Sequence, residues 1–444
     1  MTVGGLGATP SPSSDTDASF PLLCGQRWLA HVAQHEPGFA RPVQRIYRLR
    51  RPIDTSALLA AFRYVVSAHP CLRLKLSADG SRQRFPSVKA EIAGVAVRGR
   101  TPRLRAAYAR SIMAADVEQS FDLTSEPPFR AKVVQVDGEH YLGLTLDHLA
   151  ADERAADILE IELSAAYTRE IRGVPHPPAH ADAFIKYLRL EPTRRANEVR
   201  NLKWWVRQLA GAPLVPTGSE DLRWVPGQTR VWELSRSALR ELDESCRALR
   251  CSVFAALLAA QAETLCRATQ KYDLVLNIPV SNRVRPAERT WIANLSMLLH
   301  LRLRLPTAVT SEEWLTYVRD QLLDAMAHRQ VDYSELSAAI TDEAASRGGR
   351  INWIAGSSFI DARATPPLED GVLAERLDNE GADLISVPDG SCAFTARRGA
   401  DRLHVSVVWD PASLELDSAL GQDDYLATLG RLTGTDVASA ANTP

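Results

Sequence analysis

The chain has 444 residues, 45% of them hydrophobic and 24% charged, with 52 Lys and Arg against 54 Asp and Glu for a formal charge of -2. That length and composition suffice for two substantial cores, and the charge balance argues against a nucleic-acid partner. No run of 18 or more apolar residues occurs and the N-terminus lacks a basic segment followed by an apolar one, so neither a membrane span nor export is expected and a cytoplasmic location is.

Residues 1–18 are rich in Gly, Ser, Thr, Pro and Asp, which bury too little apolar surface to offset ordering entropy, and are expected to be disordered. A first lobe is expected over 19–175, with strands near 42–49, 71–76, 83–87, 129–136 and 140–147 and helices near 53–69, 102–117 and 153–170. Pro and Gly in Arg172-Gly-Val-Pro-His-Pro-Pro-Ala-His180 remove both helix and ladder options and mark a linker. A second lobe is expected over 176–435, with helices near 181–190, 195–210, 235–248, 251–269, 311–328 and 421–432. Its strands are expected near 228–233, 273–279, 298–305, 353–361, 391–397 and 402–409. The remainder, 436–444, is small and polar and reads as a flexible tail. Mixed strands and helices in two lobes give an α+β chain with a cleft between lobes, the usual place for a small-molecule site.

Six cysteines, at 24, 71, 246, 251, 266 and 392, are scattered without a Cys-x-x-Cys pair, which argues against a disulfide framework or zinc site and for small buried thiols. His176 and His180 have the spacing of a helical metal pair, but two intervening prolines forbid the helix, and no metal is expected. No GxSxG elbow, P-loop or GxGxxG occurs.

The most informative stretch is Leu144-Thr-Leu-Asp147-His148-Leu-Ala-Ala-Asp152-Glu153, between an alternating strand and an amphipathic helix. A histidine at such a turn can be aimed into a cleft as a base, although a lone histidine is more often a hydrogen-bonded core residue. The phrase resembles the HHxxxDG signature of the condensation-domain and chloramphenicol-acetyltransferase superfamily of acyltransferases. Asp147 replaces the first histidine and Glu153 the glycine, a DHxxxDE variant. Further phrases in matching order extend the resemblance over roughly residues 18–432. They are Gln26-Arg27-Trp28, His69-Pro-Cys-Leu-Arg73, Phe121-Asp-Leu123 with Pro127-Pro-Phe-Arg130, Trp204-Trp205, Ile278-Pro-Val-Ser-Asn-Arg283 and Trp291-Ile-Ala-Asn294.

The resemblance to the nonribosomal peptide synthetase condensation-domain family implies two chloramphenicol-acetyltransferase-like lobes in a V-shaped pseudo-dimer, with a central tunnel and His148 at the junction. It implies His148 as catalytic base or positioning group, with Asp147 beside it, and a structural salt bridge between Asp152 and Arg283. Asn282, Asn294, Ser357, Ser358 and Trp353 lie on segments that flank the tunnel in the family and are candidate substrate contacts. His69 reads as structural, His300 as a minor catalytic candidate, and Arg27 as a polar residue near the site. No bound cofactor is expected, because the phosphopantetheinyl or coenzyme A thioester is itself substrate.

The leading expectation is a free-standing, monomeric condensation enzyme, since no adenylation segment, carrier-protein serine motif or thioesterase elbow occurs in the chain. It would form an amide or ester from a thioester on an acyl or peptidyl carrier protein bound in trans and a small-molecule amine or hydroxyl acceptor. A coenzyme A-dependent acyltransferase is a second reading and a non-catalytic recruitment platform a third. Heterocyclisation is a fourth, because Asp147 and Asp152 share the Asp-x4-Asp spacing of that subfamily. Against it, His148 is retained and Ala155 stands where its motif has Ser.

Overall fold

Period-two hydrophobicity in Val43–Leu49, Phe129–Val136 and Glu139–Leu146 builds three adjoining antiparallel strands of a sheet. Odd residues of the first strand, Val43 and Tyr47, face helices Thr55–Ala68 and Glu153–Arg172 through Leu58, Phe62, Ile158 and Leu163. The even residue Ile46 faces helix Pro102–Glu118 through Ala109 and Met113. The computed structural model describes residues 18–35, 42–49, 53–99, 101–178, 181–216, 223–361, 373–377, 386–420, 424–437 and 441–442.

The complete sheet of the first lobe runs Leu373–Arg376, Val43–Leu49, Glu139–Leu146, Phe129–Val136, Ala93–Val97. A larger sheet runs Ser296–Arg304, Asp273–Ser281, Trp353–Asp361, Cys392–Arg398, Leu403–Trp409, Gln228–Leu234, Ala441–Asn442. The Ala- and Leu-rich helix Val253–Thr269, capped by Ser252, runs through the core of this second lobe beside Trp314, Leu276 and Val405. Among the described residues no single helix is long and apolar enough to cross a membrane; this helix and Arg236–Ala248 are so only together, and they are bent by 92° at their junction.

A third hydrophobic cluster is shared by the lobes. Phe20, Trp28, Leu74 and Phe85 pack there with Phe184, Tyr187, Trp291, Leu295 and Leu298. Trp291 meets Tyr187 and Phe184 edge-on at ring-centroid distances of 4.9 and 5.3 Å, and the next residue, Ile292, enters the core of the first lobe. Leu149 and Ala150 of the motif turn are plugged into the shared cluster, so its packing sets where the turn sits.

Several elements differ from expectation. Cys24–His35 and Tyr333–Ser346 are helices, and Ala93–Val97 is a strand, none of them expected. Helix Cys24–His35 lies so close to strand Ser296–Arg304 that a Cβ on Gly25 would come within 2.1 Å of the Ser296 carbonyl oxygen. The strand expected at 71–76 is mostly a 3₁₀ turn, Pro70–Arg73, followed by the two-residue strand Lys75–Leu76, because Pro70 follows His69 and supplies no N–H to a ladder. Leu373–Arg376 pairs with Val43–Leu49, so the stretch 176–435 contributes an edge strand to the sheet of the first lobe. In the expected flexible tail, Ala441 and Asn442 pair with Leu234 and Glu233, which takes up free ladder groups at that sheet edge. Residues 1–17 of the expected disordered tail, and His180 of the linker, lie outside the described residues.

Candidate functional site

The turn after Leu146 closes on Asp147. Its N–H donates to the Pro128 carbonyl at 2.9 Å, its carbonyl accepts from Ala150 and Ala151 N–H at 3.1 Å each, and its carboxylate accepts from Leu149 N–H at 2.8 Å. Such a side-chain-to-backbone turn is what aspartate favours. His148 projects half-buried from this turn, with Nδ1 3.2 Å from the Ala151 carbonyl oxygen. A carbonyl only accepts, so Nδ1 carries the proton and the Nε2 lone pair is the basic atom.

Asp152 ends the turn and is 5% exposed. One carboxylate oxygen caps helix Glu153–Arg172 by accepting from Ala155 N–H at 2.8 Å. The other accepts from Arg283 Nη1 at 2.6 Å and from Leu295 N–H at 2.9 Å. Arg283 also donates through Nη2 to the Ala293 and Trp291 carbonyls, at 2.8 and 3.3 Å. Asp152 and Arg283 therefore meet across the lobes, with side chains 6% and 4% exposed, and the pair joins the motif helix to the 291–295 segment. In so dry a place the alternative to pairing is an uncompensated charge.

Two further residues hold the backbone of the turn. Asn294 Nδ2 donates to the His148 carbonyl at 2.7 Å while its Oδ1 accepts from Ser296 N–H and Oγ at 3.0 and 2.7 Å. Gln26 Nε2 donates to the Leu149 carbonyl at 3.1 Å, and Gln26 is paired amide to amide with Gln83; both are fully buried. Gln26 belongs to the motif-like opening segment, whereas Gln83 has no signal in the sequence. Gln26→Leu takes their Gln26 partner from the Leu149 carbonyl, the Leu23 N–H and Gln83 Oε1, while Gln83 Nε2 keeps the Pro21 carbonyl, and is expected to lower the unfolding free energy by about 1–3 kcal/mol. A urea midpoint equal to that of the parent would show that the turn is held in another way.

Three of the candidate substrate contacts, Asn282, Asn294 and Ser357, are buried and engaged with protein partners. Asn294 is fully buried and both ends of its amide are engaged, so it holds the loop. Asn282 Oδ1 accepts from Arg329 Nε at 2.7 Å, and Ser357 Oγ donates to Gln261 Oε1 at 2.5 Å; both residues are buried. Ser358 is half-buried on the opposite face of its strand. Half-buried Trp353 packs on His300 at a ring-centroid distance of 4.7 Å. His300 itself is buried, its Nδ1 is 2.7 Å from Asn277 Oδ1, and burial pushes its pKa down to about 3, which makes it a neutral core residue. Arg27 pairs with Glu198 at 2.8 Å and Asp332 at 3.2 Å, tying helix Cys24–His35 to its neighbours. His176 stacks on Tyr64 at 4.0 Å and lies 2.6 Å from Glu170 Oε1; among the described residues no group of His, Cys, Asp or Glu is arranged to hold a metal.

The two variant motif positions have local explanations. Glu153 pairs with Arg45 Nη2 at 2.5 Å, and Arg45, buried on an odd position of its strand, also reaches Asp157 at 3.3 Å. Asp147 satisfies the turn, as described above, and burial raises its carboxyl pKa above the ordinary aspartate value, while the Leu149 N–H, His148 and Arg130 work against that rise. A raised carboxyl favours folding in its neutral form, so its contribution is full below the ordinary value and is lost as pH rises through the raised one. Asp147→Asn keeps the acceptor for Leu149 N–H and stays neutral. Its thermal midpoint is expected to exceed that of the parent increasingly as pH rises above the ordinary aspartate value. A pH-independent difference would contradict this assignment.

The family model for the condensation domain matches residues 20–351. The phosphinothricin tripeptide synthetase PhsC of Streptomyces viridochromogenes is 27% identical over 339 residues, covering 72% of this chain and 31% of that protein. Cyclosporin synthetase simA of Tolypocladium inflatum is 27% identical over 311 residues, covering 66% of this chain and 2% of that protein. The chain thus spans about a third or less of the length of these curated relatives. Among solved structures, the first condensation domain of the calcium-dependent antibiotic synthetase, in complex with a substrate analogue, aligns with TM-score 0.71 and 16% identity over 96% of this chain and 98% of that one. SgcC5 from Streptomyces globisporus aligns with TM-score 0.69 and 20% identity over 93% of this chain and 98% of that one. At such identities the structural likeness establishes the α+β chloramphenicol-acetyltransferase-like fold.

Proposed function

Since this chain belongs to the condensation-domain family, we propose that it transfers an acyl or aminoacyl group from a thioester on a carrier protein to an amine or hydroxyl acceptor, in nonribosomal peptide or polyketide assembly. The observation that carries this reading is the held imidazole of His148, whose Nδ1 is engaged by Ala151 and whose Nε2 is left basic, beside the contact between lobes. A thioester is already activated, so catalysis requires mainly that the acceptor be held against the carbonyl and relieved of its proton. Holding the reactants contributes about 7–11 kcal/mol and a general base about 10²–10⁴ in rate. The acceptor nitrogen or oxygen bonds to the carbonyl carbon while its proton passes to Nε2. Collapse of the tetrahedral species breaks the C–S bond, and the proton leaves with the thiol. Asp152, Arg283, Asn294 and Gln26 are positioning residues that keep the turn in place.

Retention of His148 supports a reaction that stops at the amide or ester. Asp152 supports the same reading, because its carboxylate is spent on Ala155, Leu295 and Arg283. The product is expected to be one water heavier than the corresponding oxazoline or thiazoline, and Asp147→His is expected to retain at least about a tenth of the activity because it leaves the base untouched. A dehydrated ring whose formation depends on both Asp147 and Asp152 would establish cyclisation instead. Offering the same acyl group on a phosphopantetheinylated carrier protein and on coenzyme A tests the donor. Faster product formation from the carrier is expected, and equal or faster use of coenzyme A would favour the coenzyme A-dependent reading.

A further inference from the structure

Helix Arg236–Ala248 ends in a Schellman closure. Leu249 is the cap, Arg250 takes the left-handed conformation at φ 54°, Arg250 N–H donates to the Arg247 carbonyl at 3.1 Å, and Cys251 N–H donates to the Cys246 carbonyl at 2.9 Å. This closure brings the side chain three positions before the cap against the one two positions after it, a contact usually made by two apolar residues. Here both are cysteines. Cys246 is 2% exposed, among Leu239 and Leu242, whereas Cys251 is half-buried and reaches the surface.

The surroundings of the two sulfurs differ in a way that gives them different chemistry. Cys251 immediately precedes Ser252, the N-cap of helix Val253–Thr269, and so lies at the positive end of that helix. Arg319 Nη1 donates to the Arg250 carbonyl at 3.2 Å, which brings a guanidinium to the same spot. A hydrogen bond from the Cys246 thiol holds Cys251 below the ordinary thiol value against the opposing effect of burial, and Arg319 adds to it. The same bond, together with burial, pushes Cys246 up. The other four cysteines are buried, and burial pushes Cys71, Cys266 and Cys392 up as well.

We propose that Cys246 and Cys251 are a redox modification site: a small peroxide converts them to a reversible disulfide across the junction of these two helices, with Cys251 reacting first and Cys246 resolving. The Cys251 sulfur attacks one peroxide oxygen, the O–O bond breaks, and the departing hydroxide takes the thiol proton as water, leaving a sulfenic acid. The Cys246 sulfur then attacks the sulfenyl sulfur, the S–S bond forms as the S–O bond breaks, and a second water carries away the Cys246 proton. Two thiols are oxidised by two electrons and one peroxide is reduced to two waters. The Schellman contact supplies the short approach that a disulfide requires, so only local adjustment of the turn is needed.

The test uses the full chain, reduced, treated folded with a small excess of hydrogen peroxide, alkylated and cut with trypsin. Cleavage after Arg247 and Arg250 separates Cys246, on Glu241–Arg247, from Cys251, on Cys251–Arg267. The expected product is these two peptides joined, two hydrogens lighter than their sum, with fragment ions placing the link at Cys251 and not at Cys266. Dithiothreitol is expected to reverse it. Cys251→Ser is expected to abolish the link and leave Cys246 alkylated, whereas Cys246→Ser should leave a sulfenic acid on Cys251 that dimedone traps. Alkylation of both cysteines after peroxide, a link through Cys266, or dimedone trapping at Cys246 instead of Cys251 would each overturn the proposal.

Discussion

His148→Ala is expected to lower turnover by roughly 10²-fold or more while the protein remains folded. The fold should tolerate the change because the imidazole is half-buried and makes one hydrogen bond, to the Ala151 carbonyl. Loss of one such bond costs about 1 kcal/mol. The turn itself is held by Asp147, Asn294 and Gln26 through groups that the substitution does not touch. Single-turnover acyl transfer, followed beside a urea denaturation curve, separates the two effects. Unchanged turnover in a folded variant would remove His148 from the chemistry and favour the recruitment-platform reading.

Asp152→Ala is expected to act in the opposite proportion, with a loss of stability at least as large as the loss of activity. It uncovers the Arg283 guanidinium in a place where both side chains are nearly inaccessible, a change that typically costs about 3–5 kcal/mol. It also removes the N-cap of the motif helix, worth about 1 kcal/mol more. Arg283→Ala is expected to be similarly damaging. The double variant, in which neither charge is stranded, is expected to be less destabilised than the sum of the two. Urea midpoints for the four proteins measure this coupling, and simple additivity would show that the carboxylate and guanidinium do not act as a pair.

Much of the scaffold is legible where the signal is local. Alternation in Glu139–Leu146 followed by helical periodicity from Glu153 marks the motif turn without any knowledge of the fold, and the linker is marked by its prolines. What holds the turn is less legible, because the partners are remote in the chain. Gln26 reaches Leu149 across 123 positions, Gln26 meets Gln83 across 57, and Asn294 reaches His148 across 146. A polar residue on a candidate tunnel segment reads equally well as a substrate contact or as a support, and the sequence does not show that Asn294 and Ser357 are buried on protein partners. The helix Cys24–His35 is obscured by Gly25, a poor helix former that the approach of Ser296 requires. For Tyr333–Ser346 the sequence does carry a signal: Asp332 caps the helix by accepting from Ser334 and Glu335 N–H. The crossing strand Leu373–Arg376 could not be placed from pattern alone, since its pairing is with a strand more than three hundred residues earlier.

The central claim, that this chain discharges a thioester onto an acceptor through His148, is tested most directly by following the intact mass of an acylated carrier protein under single-turnover conditions. With a panel of amine and hydroxyl acceptors, the parent protein is expected to strip the acyl group from the phosphopantetheine arm in an acceptor-dependent manner. One product, equal in mass to the free acid of the acyl group plus acceptor less water, should appear in step. His148→Ala should leave the carrier acylated over the same interval. Discharge by the folded His148→Ala protein at the rate of the parent would contradict the account.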